Sequence, residues 1–478
     1  MSIKYKRSIV FLILVMFIIG SITIPNFTAK TQNITLTEDD EEIKTNIYDL
    51  LIITPIEFEK FLKPLEAHKN KFGVKTKIIT LNEIYDEYTI GRDKPEQIKY
   101  AIKDAYDDYG IKYVLLVGSN KKMPVRYVNN QDMTYSAYLE PYFISELYYA
   151  DLYNNEQEFQ TWDTDEDAVF GEWIVNQTDG RDAYLDLHPD VYVGRLACKN
   201  IFEVIIMVDK IIKYETRTYG STWFNDFVVV AGDTYPEGDY EFNTSGYEGE
   251  ENTERAIENM TDFNPIRLWV SNGNFTGPKD VINQINKGCG FMFFEGHASP
   301  LKWGTHEYNS DEFLDGLANT DMYKLLNFYK LPVVVAGACH NAQFDITPVN
   351  LIKYGLESFR HGTFGLECWA WRLTSKPFGG SIATIANTGL GMSKEDKKSM
   401  EGAGDYMDKQ FFYVYGNKES DILGECWGKS IDRYINAYPV NWTISDSSEF
   451  VYDHKYDLKT VQQWTLLGDP SLKIGGYN

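Results

Sequence analysis

Two apolar runs each deliver a reactive side chain. In "GFMFFEGHASPLKWG" residues 291–294 lead through Glu295 and Gly296 to His297, and in "LPVVVAGACHNAQFD" the β-branched run 333–335 leads through Ala336 and Gly337 to Cys339. A thiol attacks as its thiolate, so a nucleophilic cysteine needs a base or a cation beside it. An imidazole exchanges a proton near neutral pH and serves that purpose. Gly296 permits close backbone approach beside the histidine, and the Cys339 amide could meet the oxyanion of a tetrahedral adduct. Three rival chemistries use the same stretch. His297, His306 and Glu307 could ligate zinc, but the histidines lack a familiar helical spacing. His340 could act as base, but adjacent side chains diverge. No Gly-x-Ser-x-Gly elbow offers a serine nucleophile.

A second constellation is acidic. Asp163, Asp165 and Asp167 alternate, and Glu172 follows. Carboxylates at alternate positions of a tight loop converge on one hard cation, and calcium is the expected ion. Three like charges so close repel unless a cation sits among them. Ala168 stands where an EF-hand needs Gly, so this is not that motif. The competing reading is a solvated acidic loop in an already acidic protein.

To bring His297 and Cys339 to one edge, their strands must be parallel neighbours joined by a crossover. Uniformly apolar strands separated by helices predict a parallel sheet covered on both faces, with chemistry outside the carboxyl ends of the strands. The segment between the two runs ("DEFLDGLANTDMYKLLNFYK") reads as loop and helix. Upstream, "YDLLIIT", "VKTKIITL", "KYVLLVG" and "DVYVGRL" read as strands alternating with helices, one of which holds Pro64 and is expected to kink or break there. The pattern restarts near residues 217–222 with "DFVVVAGD" and "IRLWV". Residues 363–373 read as a strand, residues 379–391 as a small-residue helix, and 406–416 and 421–438 as amphipathic helices. The expected organisation is a non-catalytic α/β sub-domain at 47–218 and a catalytic one at 219–478, each with a mostly parallel sheet covered by helices.

The chain has 478 residues, 43% of them hydrophobic, and a formal net charge of −24. Such acidity argues against nucleic acid and anionic membranes as partners. Lys4, Lys6 and Arg7 precede "IVFLILVMFIIG", the charged and apolar regions of a secretory leader at residues 1–30. If retained, that segment would be a membrane anchor; residues 31–46 form an acidic linker. Beyond the leader, six Asn-x-Ser/Thr triplets fit an exported chain. The expected location is extracellular or at the cell surface. The five cysteines are widely spaced with no metal-knuckle pattern, and an odd number leaves at least one thiol free.

"FEGHASPLKWG" followed by "VVVAGACHNAQFD" resembles the catalytic blocks of the gingipain family of cysteine peptidases, in the caspase-like clan. "YDLLIIT", "KYVLLVG" with "MPVR", "LYYADLY", "PDVYVGRL", "GGSIATIANTGLG" and "LLGDPSLKI" resemble further family blocks in family order, over about residues 47–475. The resemblance implies a caspase-like α/β fold in two sub-domains, His297 as base, Cys339 as nucleophile, and calcium in the acidic loop. The implied activity is endopeptidase cleavage of protein or peptide substrates. A member that has lost activity and binds at the surface, or a transpeptidase using the same dyad, remains an alternative. Ala298 and Glu146 depart from the family pattern, which more often has Gly and Asp there. By the same resemblance, residues 219–478 are expected to correspond to the catalytic unit and not to the immunoglobulin-like or sorting modules of other members.

Overall fold

The computed structural model describes residues 47–129, 140, 142–173, 182, 184–236, 246–393, 401–444 and 447–478. The leader and linker expected at 1–46 lie outside these residues. Among the described residues no helix is long and apolar enough to cross a membrane.

The first half alternates strand and helix: β1 (Leu50–Thr54), α1 (Ile56–Lys71), β2 (Thr76–Thr80), α2 (Leu81–Glu87), α3 (Lys94–Tyr109) and β3 (Tyr113–Val117). A hairpin of β4 (Arg126–Asn129) and β5 (Tyr142–Ser145) follows, then β6 (Tyr192–Leu196) and α4 (Ile201–Arg217). The sheet order is β2-β1-β3-β6, all parallel. β1 and β3 are buried along their whole length, which is why they carry no polar alternation. α3 starts where Asp93 accepts the Glu96 amide at 3.0 Å, with Pro95 in its first turn. α1 runs through Pro64 without ending; Phe58, Leu62 and Leu65 seat it in the core.

The second half contains β7 (Asp226–Ala231), α5 (Glu248–Asn259), β8 (Asn264–Trp269), α6 (Pro278–Lys287) and β9 (Phe291–Glu295). After these come β10 (His297–Ser299), β11 (Lys302–His306), β12 (Phe313–Ala318) and β13 (Val333–Gly337). Two short helices, α7 (Val349–Tyr354) and α8 (Leu356–Arg360), precede α9 (Trp369–Ser375) and β14 (Ala383–Asn387). The chain closes with α10 (Ala403–Gly416), α11 (Leu423–Ala437), α12 (Ser447–Gln463) and β15 (Trp464–Leu467). The main sheet runs β15-β14-β13-β9-β7-β8, parallel except for β15.

Four segments differ from their sequence expectation. The connection from β9 to β13 is a three-stranded antiparallel sheet, β10-β11-β12, with one 3₁₀ turn instead of a helix. Residues 369–375 are instead a helix whose Trp369 and Trp371 are buried, the former donating to Leu317 O at 2.8 Å. Residues 383–387 are a fully buried strand, not a helix. The tail holds a further helix, α12, ahead of β15.

A buried charge cluster joins α1, α4 and the C-terminal segment. Lys69 Nζ lies 2.8 Å from Glu215 and 2.8 Å from Asp469, all three without exposed side-chain surface. His68 Nε2 meets Glu215 at 2.8 Å. The closing "GDPS" block thus serves the fold by supplying Asp469. Glu146 is also structural: it takes Arg195 in a bidentate pair, Nε to Oε2 at 2.8 Å and Nη2 to Oε1 at 3.0 Å.

Candidate active site

β9 and β13 are parallel neighbours in the middle of the main sheet, paired in register from Phe291↔Val333 to Glu295↔Gly337. Gly296 N donates to Gly337 O at 3.3 Å, carrying the pairing one step past the strand ends. His297 stands two residues beyond Glu295, and Cys339 two beyond Gly337. The residues that bear the imidazole and the thiol therefore follow the ends of adjacent strands, each two positions past the last register pair. Gly296 has φ +157°, and a Cβ there would lie 2.8 Å from Gly304 O, so the turn into the histidine requires glycine.

The histidine is oriented by the segment after β7. His297 Nε2 lies 2.6 Å from Thr234 O. A carbonyl only accepts, so Nε2 carries the proton and Nδ1 holds the lone pair of the neutral ring. Burial lowers the His297 pKa below its ordinary 6.5; the bond to Thr234 opposes this, His306 adds to it, and Asp233 opposes it. The ring sits edge-on to His306, with centroids 5.2 Å apart, and edge-on to Tyr235 at 6.1 Å. The Asp233 carboxylate accepts from Tyr235 N at 3.1 Å and Asn309 N at 2.9 Å. Glu248 Oε2 accepts from Thr234 N at 3.3 Å. Asp233, Thr234 and Tyr235 are site residues that the sequence reading missed. Their signal was an acid at the exit of a third apolar strand, β7, which pairs with β9.

Cys339 is half-buried, whereas Cys198, Cys289, Cys368 and Cys426 are buried. Burial pushes its thiol above the ordinary 9.0, with the Gly391 amide opposing, Glu140 adding and Lys459 opposing. The thiol at rest is thus protonated, and a neighbouring base has a proton to take. The loop after β14 holds the cysteine turn in place. His340 N donates to Gly389 O at 2.8 Å, Ala342 N to Asn387 O at 2.8 Å, and Asn387 Nδ2 to Ala338 O at 3.0 Å. His340, the rival base, has its Nδ1 3.7 Å from Glu140. Glu140 in turn meets Lys459 at 3.1 Å.

The acidic loop brings its carboxylates together. Oxygens of Asp163, Asp165 and Asp182, and of Asp165, Asp167 and Glu172, lie within 4.8 Å of one another in each group. These are the metal-sized clusters among the described residues, and His297, His306 and Glu307 do not form one. Asp163 is anchored by Arg92 Nη1 at 2.5 Å and by the amides of Asp167 at 3.0 Å and Ala168 at 3.1 Å. Asp182, which spacing did not reveal, accepts the Thr164 amide and the Glu172 amide, the latter at 3.1 Å. Burial pushes its pKa up to about 7, opposed by those two amides, with Asp163 and Asp165 adding. An all-oxygen donor set with residual negative charge fits calcium and not a softer metal.

The chain is similar to gingipain R2 of Porphyromonas gingivalis, 22% identical over 436 residues, which cover 89% of this chain and 46% of that protein. Gingipain R1 of Porphyromonas gingivalis is likewise 22% identical over 436 residues, covering 34% of its length. The chain thus spans less than half the length of these curated relatives. In fold it is similar to the Arg specific cysteine proteinase gingipain R, with TM-score 0.58, 20% identity, and coverage of 92% of this chain and 80% of that one. The complex of Porphyromonas gingivalis RgpB pro- and mature domains gives TM-score 0.58 and 19% identity, covering 89% and 79%. These likenesses establish the caspase-like α/β fold. The model of peptidase family C25 matches residues 43–475, and the chain belongs to that family.

Proposed function

We propose that the chain is an exported cysteine endopeptidase acting on protein or peptide substrates through Cys339 and His297. One observation supports the reading: the register Glu295↔Gly337 between β9 and β13, which sets the strands preceding His297 and Cys339 side by side. In the proposed reaction Cys339 Sγ attacks the scissile carbonyl carbon while its proton passes to His297 Nδ1. Nε2–H stays fixed on Thr234 O. The imidazolium then protonates the departing amine, and water, deprotonated by the same nitrogen, releases the acyl group from sulfur. The amides flanking Cys339 donate into the fold, Ala338 N to Ala336 O and His340 N to Gly389 O. We assign the Cys339 amide to the oxyanion.

We also propose that Asp163, Asp165, Asp167, Glu172 and Asp182 hold calcium structurally, and that the leader at residues 1–30 directs export. Ala298, in β10, pairs with Trp303, which is ordinary strand geometry and compatible with a non-glycine residue. Cys339→Ala tests the catalytic reading. Turnover of a fluorogenic peptide library, with and without calcium, should vanish while the circular dichroism spectrum is unchanged. Retained turnover would refute the assignment. No turnover by the wild type either would favour a surface binding protein, and ligated products would favour a transpeptidase.

A further inference from the structure

Beneath the ends of β9 and β13 lies a buried acid pair that the proposed reaction does not use. Glu295, the last residue of β9, and Asp408, on α10, are 3% and 0% exposed. A Cβ built on Gly337 would lie 2.3 Å from Asp408 Oδ2 and 2.4 Å from Glu295 Oε2, so both oxygens press on the same spot at the end of β13. Asn252 of α5 donates from Nδ2 to Glu295 Oε2 and to Asp408 Oδ1, each at 3.3 Å, and accepts from Lys409 Nζ at 3.0 Å. Asp408 Oδ2 receives no donor from elsewhere among the described residues. Two ionised carboxylates cannot share such a space. A single proton resolves both problems, because it removes one charge and gives Oδ2 a donor.

We propose that Glu295 carries a proton donated to Asp408 Oδ2, and that this bond is a positioning element fixing the end of β9 against β13, and with it His297 against Cys339. The groups facing the pair are Lys409 and Asp405 on α10, Asn252 on α5, and, at longer range, Glu248 and Arg255 on α5. Asp405 accepts from Ser393 Oγ at 2.5 Å, and Tyr235, edge-on to His297, lies in the fields of Asp405, Cys339 and Glu295. Among the described residues the acids outnumber the one adjacent ammonium, and the pair holds its proton well above the ordinary carboxylate range, with burial the first cause. Above the pH at which the proton leaves, the carboxylates repel, β9 and α10 separate at Gly337, and the ends of β9 and β13 lose their register.

The sign of the stability effect follows. A carboxyl group whose folded pKa is raised stabilises fully below its unfolded value, near 4.5 for Glu295, and loses that contribution as pH rises towards the folded value. Glu295→Gln keeps a donor towards Asp408 and cannot titrate. The melting temperature of E295Q minus that of the wild type, measured from pH 5 to pH 9, should therefore become steadily more positive. The alkaline limb of kcat/KM should move up by at least one pH unit in E295Q, and in Asp408→Asn as a second isosteric test. A melting difference that is flat with pH in both variants would overturn the proposal. The kinetic arm rests on the peptidase reading, but the melting arm does not. A missing turnover therefore counts against that reading, and a flat melting difference against the shared proton.

Discussion

Gly337→Ala tests how tightly the two strands that deliver the site are closed. The added methyl would meet Asp408 Oδ2 at 2.3 Å and Glu295 Oε2 at 2.4 Å. Neither oxygen belongs to a mobile side chain: Asp408 is pinned by Asn252 and by helix α10, and Glu295 by its place in β9. Ordinary contact needs each oxygen to retreat by about 1 Å, and overpacking of that size costs roughly 1–3 kcal/mol. In a chain of this size that corresponds to a melting temperature lower by roughly 2–6 °C. The larger effect falls on turnover. A displacement of about 1 Å between reacting groups lowers the rate on the order of 100-fold. G337A should thus lose far more kcat/KM than its melting shift accounts for, measured by fluorogenic turnover at 25 °C beside differential scanning fluorimetry. A variant with wild-type kcat/KM and an unchanged melting temperature would show that the end of β13 is not pressed against the acid pair.

Lys69→Met removes the cation from a buried cluster and leaves Glu215 and Asp469 facing each other; a loss of about 3–5 kcal/mol in denaturant unfolding is expected. A loss under 1 kcal/mol would mean the cluster does not join α1 to the C-terminal segment as described. Adding calcium should raise the melting temperature, and EGTA should reverse the gain. Asp165→Asn, at the residue common to both acidic groups, should abolish that response. An identical calcium response in D165N would place the ion elsewhere. Gly296→Ala, at φ +157° and 2.8 Å from Gly304 O, should abolish turnover with a smaller stability loss than Lys69→Met, as read by the same two assays.

The strands that carry the site were legible because β9 and β13 are uninterrupted apolar runs ended by glycine, and fully buried parallel strands leave that trace. The pairing of the two runs followed from their shared form. The intervening segment misled because Asp311 followed by Phe313, Leu314 and Leu317 imitates a capped helix, whereas β12 draws its structure from pairing with β11. Residues 383–387 misled for the opposite reason. A short, fully buried strand of Ala, Thr, Ile and Asn shows no polar alternation, and its neighbours β13 and β15 make it a strand. Trp369 and Trp371 favour strands by propensity, yet both lie buried on a short helix. At the site, His297, Cys339 and four acids of the loop could be named from spacing. Asp182, Thr234, Tyr235, Asn252, Gly391 and Asp408 could not, because each reaches its partner through tertiary packing and carries no local pattern.

The most direct measurement is the rate at which a thiol-reactive peptide alkylates the protein, followed by intact mass and peptide mapping, in the wild type and in His297→Gln. The wild type should take up one adduct, on Cys339, while Cys198, Cys289, Cys368 and Cys426, all buried, stay unmodified. Burial pushes the Cys339 thiol up, so few thiolates form unaided, and in the proposed reaction the thiolate is generated by transfer to the His297 ring. H297Q should therefore react on the order of 100-fold more slowly near neutral pH. Equal rates in the two proteins, or modification at a cysteine other than Cys339, would contradict a shared proton between these side chains.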